Sequence, residues 1–172
     1  MRLSEGTKVS YPLQGPCLIG PVVTKVVGGE RAKFHHLIPL GDGGPEFFVP
    51  FGRAPVAGVR RLVTKSEISE VLDRLAQPPR PAANGKLRAH DHSRLFASGA
   101  ALDLAELIAL LTDIAGINRF NGDGLLEKAR RLLAREIAEV LGESESAAEA
   151  SIDDALAAGG RGRPRPKARS GV

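Results

Sequence analysis

The period of the hydrophobic pattern changes once along this chain, near Ser66, and that change constrains the fold more than any other feature. Before it, runs rich in β-branched residues lie at 8–11, 17–27, 33–40, 46–49 and 58–63. Gly28-Gly29 and the segment 41–44 are turn signals between these runs. Short strands spaced in this way predict a small, curled antiparallel sheet or open barrel, with Pro21 and Pro50 at bulges or strand ends.

After the change, the apolar residues follow the helical period. Ile68, Val71, Leu72 and Leu75 lie at i, i+3, i+4 and i+7, and they predict a helix that closes the β-rich part at residue 76. Residues 77–85 contain three prolines and cannot continue that helix. We therefore predict a first domain at 1–76 and a linker at 77–85.

Residues 86–158 predict a compact all-helical domain, so that the chain as a whole belongs to the α+β class. A weak, basic helix at 86–97 precedes an apolar stripe that stops near Gly116. Asn121 or Asp123 can cap the next helix, which ends at Gly142, and Ser146-x-x-Glu149 fits a capping box for a short last helix. The predicted core face of the helix before Gly142 is Leu126, Ala129, Leu133, Ile137 and Val140.

Charge is distributed unevenly along the chain. Residues 1–84 carry 11 basic and 7 acidic residues (+4), and residues 85–158 carry 8 and 13 (−5). Residues 159–172 carry 5 basic residues and no acidic one (+5), which completes the net charge of +4. The composition predicts that this basic tail is disordered when free, and such asymmetry is typical of a nucleic-acid-binding arm.

Several short motifs occur along the chain in a fixed order. The first is Gly6-x-x-Val9-x-Tyr11-Pro12-x-x-Gly15, and the later pieces are Val49-Pro50, Gly58-Val59-Arg60, Ala97-Ser98-Gly99, Ala105-Glu106 and Lys128-Ala129-Arg130-x-Leu132-Leu133 before Glu136. In order and in register, these motifs resemble the CarD/CdnL family of bacterial transcription regulators. The opening motif is also similar to the polymerase-binding domain of transcription-repair coupling factors. Together the matches cover about residues 5–158.

The resemblance implies a Tudor-like N-terminal domain that binds the β subunit of RNA polymerase, and a helical domain that touches promoter DNA. A sheet with a free edge can bind an extended strand of such a partner through main-chain hydrogen bonds. The predicted polymerase-binding residues are Lys25, Phe48, Pro50 and Arg60. For Arg60 a second interpretation stays open, namely a salt bridge or cap that ties the sheet to the helix at 66–76.

Two basic segments are candidates for DNA contact. Arg161-Gly162-Arg163-Pro164 resembles the core of an AT-hook, and extended arginines suit the narrow, negative minor groove of A·T-rich DNA. A nonspecific, solvated tail is the alternative. The family commonly places a tryptophan before a basic pair at the start of the helical half, whereas this chain has Gly85 there and no tryptophan at all. The predicted DNA-binding residues are Lys86, Arg88, Arg94, Arg161, Arg163, Pro164 and Arg165.

Other functional classes find little support in the sequence. His35-His36 and His90-x-His92 cannot each direct both rings at one ion, and Cys17 is the only cysteine, so no metal site and no cofactor are expected. No phosphate-loop or nucleophile-elbow motif is present, so an enzyme is not expected. No apolar run approaches the ~18 residues that span a bilayer, and the start lacks the apolar region of a signal peptide.

The sequence thus predicts a cytoplasmic, nucleoid-associated regulator that binds the polymerase β subunit and modulates initiation, with weak auxiliary DNA contact. The alternative is an adaptor that docks other regulators to polymerase through the acidic helical body and contacts DNA little.

Overall fold

The computed structural model describes residues 3–41, 44–78, 89–117 and 124–160. Within these residues an antiparallel sheet is followed by a set of helices, which confirms the predicted α+β class. The strands are β1 (Lys8–Tyr11), β2 (Gly15–Val27), β3 (Glu30–Pro39), β4 (Phe47–Pro50) and β5 (Arg60–Arg61). The helices are α1 (Lys65–Ala76), α2 (Ala89–Ser98), α3 (Ala101–Ile117), α4 (Leu125–Leu141) and α5 (Glu145–Ala158).

The five strands lie in the order β4-β3-β2-β1-β5 in the described part of the chain. β2 and β3 form a long hairpin around Gly28 and Gly29, whose φ angles of 61° and 86° fit the tight turn that follows the twist of the strands. The register of this hairpin shifts between Ile19 and Val22, so the bulge predicted at Pro21 is confirmed. Pro50 is the last residue of β4, as predicted for a strand end.

One face of the sheet carries its own small core. Val9, Ile19, Leu37 and Val49 are buried there, together with Cys17. Burial raises the pKa of the Cys17 thiol to about 11. The opposite face of the sheet lies against α4, which contacts β2 and forms side-chain bonds with β1.

Helix α1 packs with the other helices, although the sequence grouped it with the strands. Its buried residues Ile68, Val71 and Leu75 belong to the core formed with α3, α4 and α5. An amphipathic pattern indicates that a helix buries one face, but it does not indicate which surface covers that face. The division of the chain into domains at 1–76 and 86–158 stays a prediction.

The helix ends follow local capping chemistry, with one difference from the prediction. α5 begins with Ser144 as its cap, whose hydroxyl accepts from the backbone of Ala147 at 3.1 Å, so the capping box predicted at Ser146 is wrong. α3 ends at Ile117, one residue after the stop predicted near Gly116, which agrees within the usual variation of a helix end. The end of α4 at Gly142 is confirmed. Asn121 and Asp123, the predicted caps of α4, lie outside the described residues.

The start of α1 is fixed by a capping box that the sequence analysis did not identify. The Thr64 hydroxyl accepts from the backbone of Glu67, and the Glu67 carboxylate accepts from the backbone of Thr64 at 2.8 Å. The guanidinium of Arg61 donates to the same carboxylate. This bond from Arg61, followed by those from Thr64, lowers the pKa of Glu67 to about 2.

Candidate protein-binding edge of the sheet

Strand β4 ends the sheet on one side, and the direction of its backbone groups follows from the register. The amide of Phe51 donates to the carbonyl of Lys33 at 2.8 Å, so these two residues face each other as a hydrogen-bonded pair. Hydrogen-bonded and non-hydrogen-bonded pairs alternate along an antiparallel ladder. The pair His36–Phe48, three positions away, is therefore non-hydrogen-bonded. The N–H and C=O of Phe48 consequently point outwards, away from β3.

Pro50 limits this edge to a short stretch. It also lies in an outward-facing position, but proline has no N–H to offer to an incoming strand. Its carbonyl accepts from the amide of Arg53 at 2.9 Å in the following turn. Within β4, strand addition would therefore be centred on Phe48.

The side chain of Phe48 lies at the centre of a cluster on one face of the sheet, which we call the Phe48 cluster. The Lys25 ammonium lies 3.0 Å from the centroid of the Phe48 ring, a cation–π contact. The imidazole of His36 stacks on the same ring at 5.0 Å between centroids. The His36 Nε2 atom lies 2.8 Å from a carboxylate oxygen of Glu46. The cluster presents an ammonium and an aromatic ring next to the outward backbone groups of Phe48.

The neighbouring histidine faces the other way. His35 is buried and stacks on Phe51 with 4.7 Å between ring centroids, whereas His36 belongs to the Phe48 cluster. Successive side chains of a strand point to opposite faces, so the two rings do not converge.

Arg60, one of the predicted polymerase-binding residues, forms an ion pair within the protein. Its guanidinium donates to both carboxylate oxygens of Glu136 on α4, at 2.6 and 2.7 Å, and to the carbonyl of Gly99. Glu136 is 1% exposed and also accepts from the amide of Val63 at 3.0 Å and from the Ser10 hydroxyl at 3.4 Å. We call this set the Glu136 junction. It supports the interpretation of Arg60 as a tie for the sheet, but the helix that it reaches is α4 and not α1.

Several of the motif pieces that carry the family resemblance meet near this junction. Gly58 has φ +77°, and a Cβ there would lie 2.6 Å from the Cγ of Pro12. Gly99 has φ +62°, and a Cβ there would lie 3.0 Å from the Cα of Pro12. These glycines are needed because the turn after β1 packs directly on their backbone. These motif residues thus lie at the joint between the sheet and the helices.

Sequence reasoning placed Glu136 in a motif but missed its role. The signal was present, because Glu136 lies three residues after Leu133 and directly before Ile137, on the apolar face of α4. A lone carboxylate at such a position needs a partner, since a buried charge is stable only when paired and hydrogen-bonded. Nothing in the sequence identified Arg60 as that partner, 76 residues away.

The predicted DNA-binding residues are only partly described. Arg94 is exposed on α2, so its guanidinium is accessible. In the same helix the Nε2 atom of His92 is buried and has no hydrogen-bond partner within the described residues, so that atom is not part of an exposed phosphate-facing surface. Lys86, Arg88, Arg161, Arg163, Pro164 and Arg165 lie outside the described residues.

Two further observations concern the helical half. The acidic residues Glu143, Glu145, Glu149, Asp153 and Asp154 are exposed at the end of α4 and along α5. In the described part of the chain, none of the helices has the length and apolar character needed to cross a membrane.

Comparison with solved structures found similar chains. Among them is the 72-residue N-terminal domain of CarD from Myxococcus xanthus, solved by solution NMR, which is 33% identical, with 35% of this chain and 79% of that domain covered. The TM-score is 0.29, which does not establish a common fold for the whole chain. No family model matches the sequence. Membership of the CarD/CdnL family therefore stays a prediction.

Proposed function

We propose that this chain is a transcription regulator of the CarD type that acts by binding, without catalysis. In this proposal the margin of β4 and the Phe48 cluster bind the β subunit of RNA polymerase and so modulate initiation. The observation that carries the proposal is the outward N–H and C=O of Phe48 at the end of the sheet, with the Lys25 ammonium beside them. Main-chain bonds supply affinity in such strand addition, and adjacent side chains supply specificity.

The charge of Lys25 gives the first test. We expect Lys25→Glu to weaken binding of the full chain to a β-subunit fragment by about tenfold, because it replaces attraction to an acidic surface by repulsion. Lys33→Glu is the matched control, because Lys33 is equally a lysine of the hairpin but lies on the opposite face. Biolayer interferometry measures both affinities. Equal loss in the two variants, or no binding by the unmodified chain, would contradict the proposal.

We also propose that the basic tail contributes weak DNA contact, together with Lys86, Arg88 and Arg94. Replacing Arg161, Arg163 and Arg165 with alanine removes three phosphate-neutralising charges, so the slope of log affinity against log salt should fall by about 2–3 on an A·T-rich duplex. A tail that binds DNA weakly on its own can still contribute when the chain is bound to polymerase, because tethering raises the effective concentration of the tail near the DNA. The matched control replaces three exposed arginines outside the tail with alanine, namely Arg31, Arg53 and Arg131, and so removes the same amount of charge. A slope that is the same for both triple variants would contradict the tail's role.

A second candidate function is an adaptor that docks other regulators and contacts DNA little. The exposed carboxylates at the end of α4 and on α5 favour it, because negative charge repels the phosphate backbone. Salt-dependent binding of the full chain to DNA, lost in the triple tail variant, supports the regulator with DNA contact. Binding to polymerase with no DNA binding at low salt supports the adaptor.

A further inference from the structure

A second margin of the sheet, on β2, is longer than the margin of β4. The partner of β2 on this side is β1, and their ladder ends where Gly6 donates to Ile19 and Ile19 donates to Thr7, both at 2.8 Å. Beyond the bulge, residues 22–27 pair with β3 on the other side without interruption. Among the described ranges, no strand pairs with the outer side of 22–27.

The backbone groups that this margin offers follow from two independent observations. Lys33 accepts from Phe51 on its β4 side, so its pairing with Thr24 across the hairpin is non-hydrogen-bonded. The pair Val27–Glu30 closes a two-residue turn and is therefore hydrogen-bonded. Because the two kinds of pair alternate, the Thr24–Lys33 pair, three positions away, is again non-hydrogen-bonded. Thr24 therefore points its N–H and C=O outwards, and so do the residues two positions before and after it, Val22 and Val26.

The side chains along this margin lack a guarding charge. Val22 and Val26 are 49% and 68% exposed, and Thr24 is exposed between them. Proteins commonly protect such an edge with lysine. The lysine within this stretch is Lys25, and its ammonium lies over the Phe48 ring, on the far side of β3. The margin is thus open, β-branched and uncharged.

We propose that a second copy of this chain pairs antiparallel along this margin, about a twofold axis at Thr24. In that register Thr24 lies opposite Thr24 of the other copy, and Val22 lies opposite Val26. In this register the outward N–H and C=O groups of each of these residues face the outward N–H and C=O groups of the residue opposite. The same surface is thus used on both copies, as an isologous interface requires. Cross-strand pairs of β-branched residues stabilise such ladders. Lys25 lies opposite Val23 of the other copy, so no like charges are directly opposed.

The dimer is independent of the proposed polymerase contact, because it uses β2 and leaves the margin of β4 free. One ladder of this length buries less surface than a stable protein interface, so the association should be weak and concentration-dependent. Failure of the dimer would leave the regulator proposal intact, and failure of polymerase binding would leave the dimer intact.

Charged substitutions at Thr24 test the proposed dimer. In T24K and in T24E, like charges lie directly opposite on the twofold axis, so each variant alone should show a dimer dissociation constant raised about fivefold or more. An equimolar mixture of T24K and T24E places opposite charges together and should restore association. Sedimentation velocity of the full chain at low ionic strength, up to about 1 mM, measures each case.

Thr24→Val is the control, because it keeps both backbone groups and adds no charge, and it should dimerise as the unmodified chain does. Far-UV circular dichroism checks that all variants fold. We expect them to fold, because Thr24 is exposed and substitutions at exposed positions usually change stability little. A chain that stays monomeric at about 1 mM overturns the proposal. A dimer that T24K and T24E leave unchanged, or a mixture that fails to reassociate, also overturns it.

Discussion

Glu136→Ala removes the carboxylate at the centre of the Glu136 junction. That carboxylate accepts two bonds from Arg60, one from the amide of Val63 and one from the Ser10 hydroxyl. These donors lie on β1, on β5 and in the segment that leads into α1, whereas Glu136 lies on α4. The substitution therefore removes a buried polar contact that joins the sheet to the helices.

The magnitude follows from what the variant leaves behind. Removing one partner of a buried ion pair typically costs 3–5 kcal/mol, because the remaining charge is left uncompensated. The Arg60 side chain is 25% exposed and can regain some water, which favours the lower end, but the Val63 amide also loses its acceptor. We expect the free energy of unfolding to fall by about 3–4 kcal/mol, which lowers the Tm by roughly 6–16 °C for a chain of this size.

Urea unfolding followed by far-UV circular dichroism measures this loss. Glu139→Ala is the matched control one turn further along α4, because Glu139 pairs with Lys8, whose side chain is 53% exposed. An exposed pair of this kind contributes about 0–1 kcal/mol. The double variant with Arg60→Ala should cost less than the sum of the two single variants, since the pair acts as a unit. A loss below about 1 kcal/mol for Glu136→Ala would refute the role of the junction.

Three further predictions follow from local geometry. Cys17 should not react with a thiol reagent at pH 8 until the protein unfolds, because a pKa of about 11 leaves only about 0.1% as thiolate; labelling of the native chain at a free-thiol rate would contradict this. Gly58→Ala should lower the free energy of unfolding by about 2 kcal/mol or more, since it combines a positive φ with a contact of 2.6 Å to the proline ring. Gly52→Ala, also at positive φ but with open space around its Cβ, should cost only the conformational term, and equal losses in chemical denaturation would count against the packing argument. The bond from Arg61 lowers the pKa of Glu67 to about 2, so this carboxylate stabilises the fold above its ordinary pKa of 4.5 and loses that effect as the pH falls through about 2. Glu67→Gln should therefore be less stable than the unmodified chain at pH 7 and equal to it near pH 2, which urea midpoints across this range will show; a difference that does not change with pH would exclude the mechanism.

The location of the family-like motifs bears on what they signify. Pro12, Gly58, Gly99, Arg60 and Glu136 come from four separate stretches of sequence and meet at one joint. Their residue types are explained by packing and by a buried ion pair, without reference to a partner. The resemblance is therefore first a statement about how the sheet is held on the helices. In the proposed function, contact with polymerase depends on other residues, Lys25 and Phe48 above all.

Local patterns in the sequence determined the elements of this fold. The runs rich in β-branched residues and the glycine turns predicted the strands. Gly28-Gly29 fixed the β2–β3 register through the turn geometry that only such residues adopt readily. The 3.6-residue periodicity predicted the helices, and Pro21 predicted the bulge. These features could be read because each depends on neighbours within a few positions along the chain.

Tertiary structure alone decided which surfaces meet. The sequence could not show that α1 packs on the helices, that Arg60 reaches Glu136, or that Lys25 lies over Phe48 and leaves the margin of β2 uncharged. Each of these contacts joins residues that are distant in sequence, and many partners of suitable charge or shape compete for each of them. The physical reason is that burial and ion pairing reward proximity in space, which a pattern along the chain does not specify.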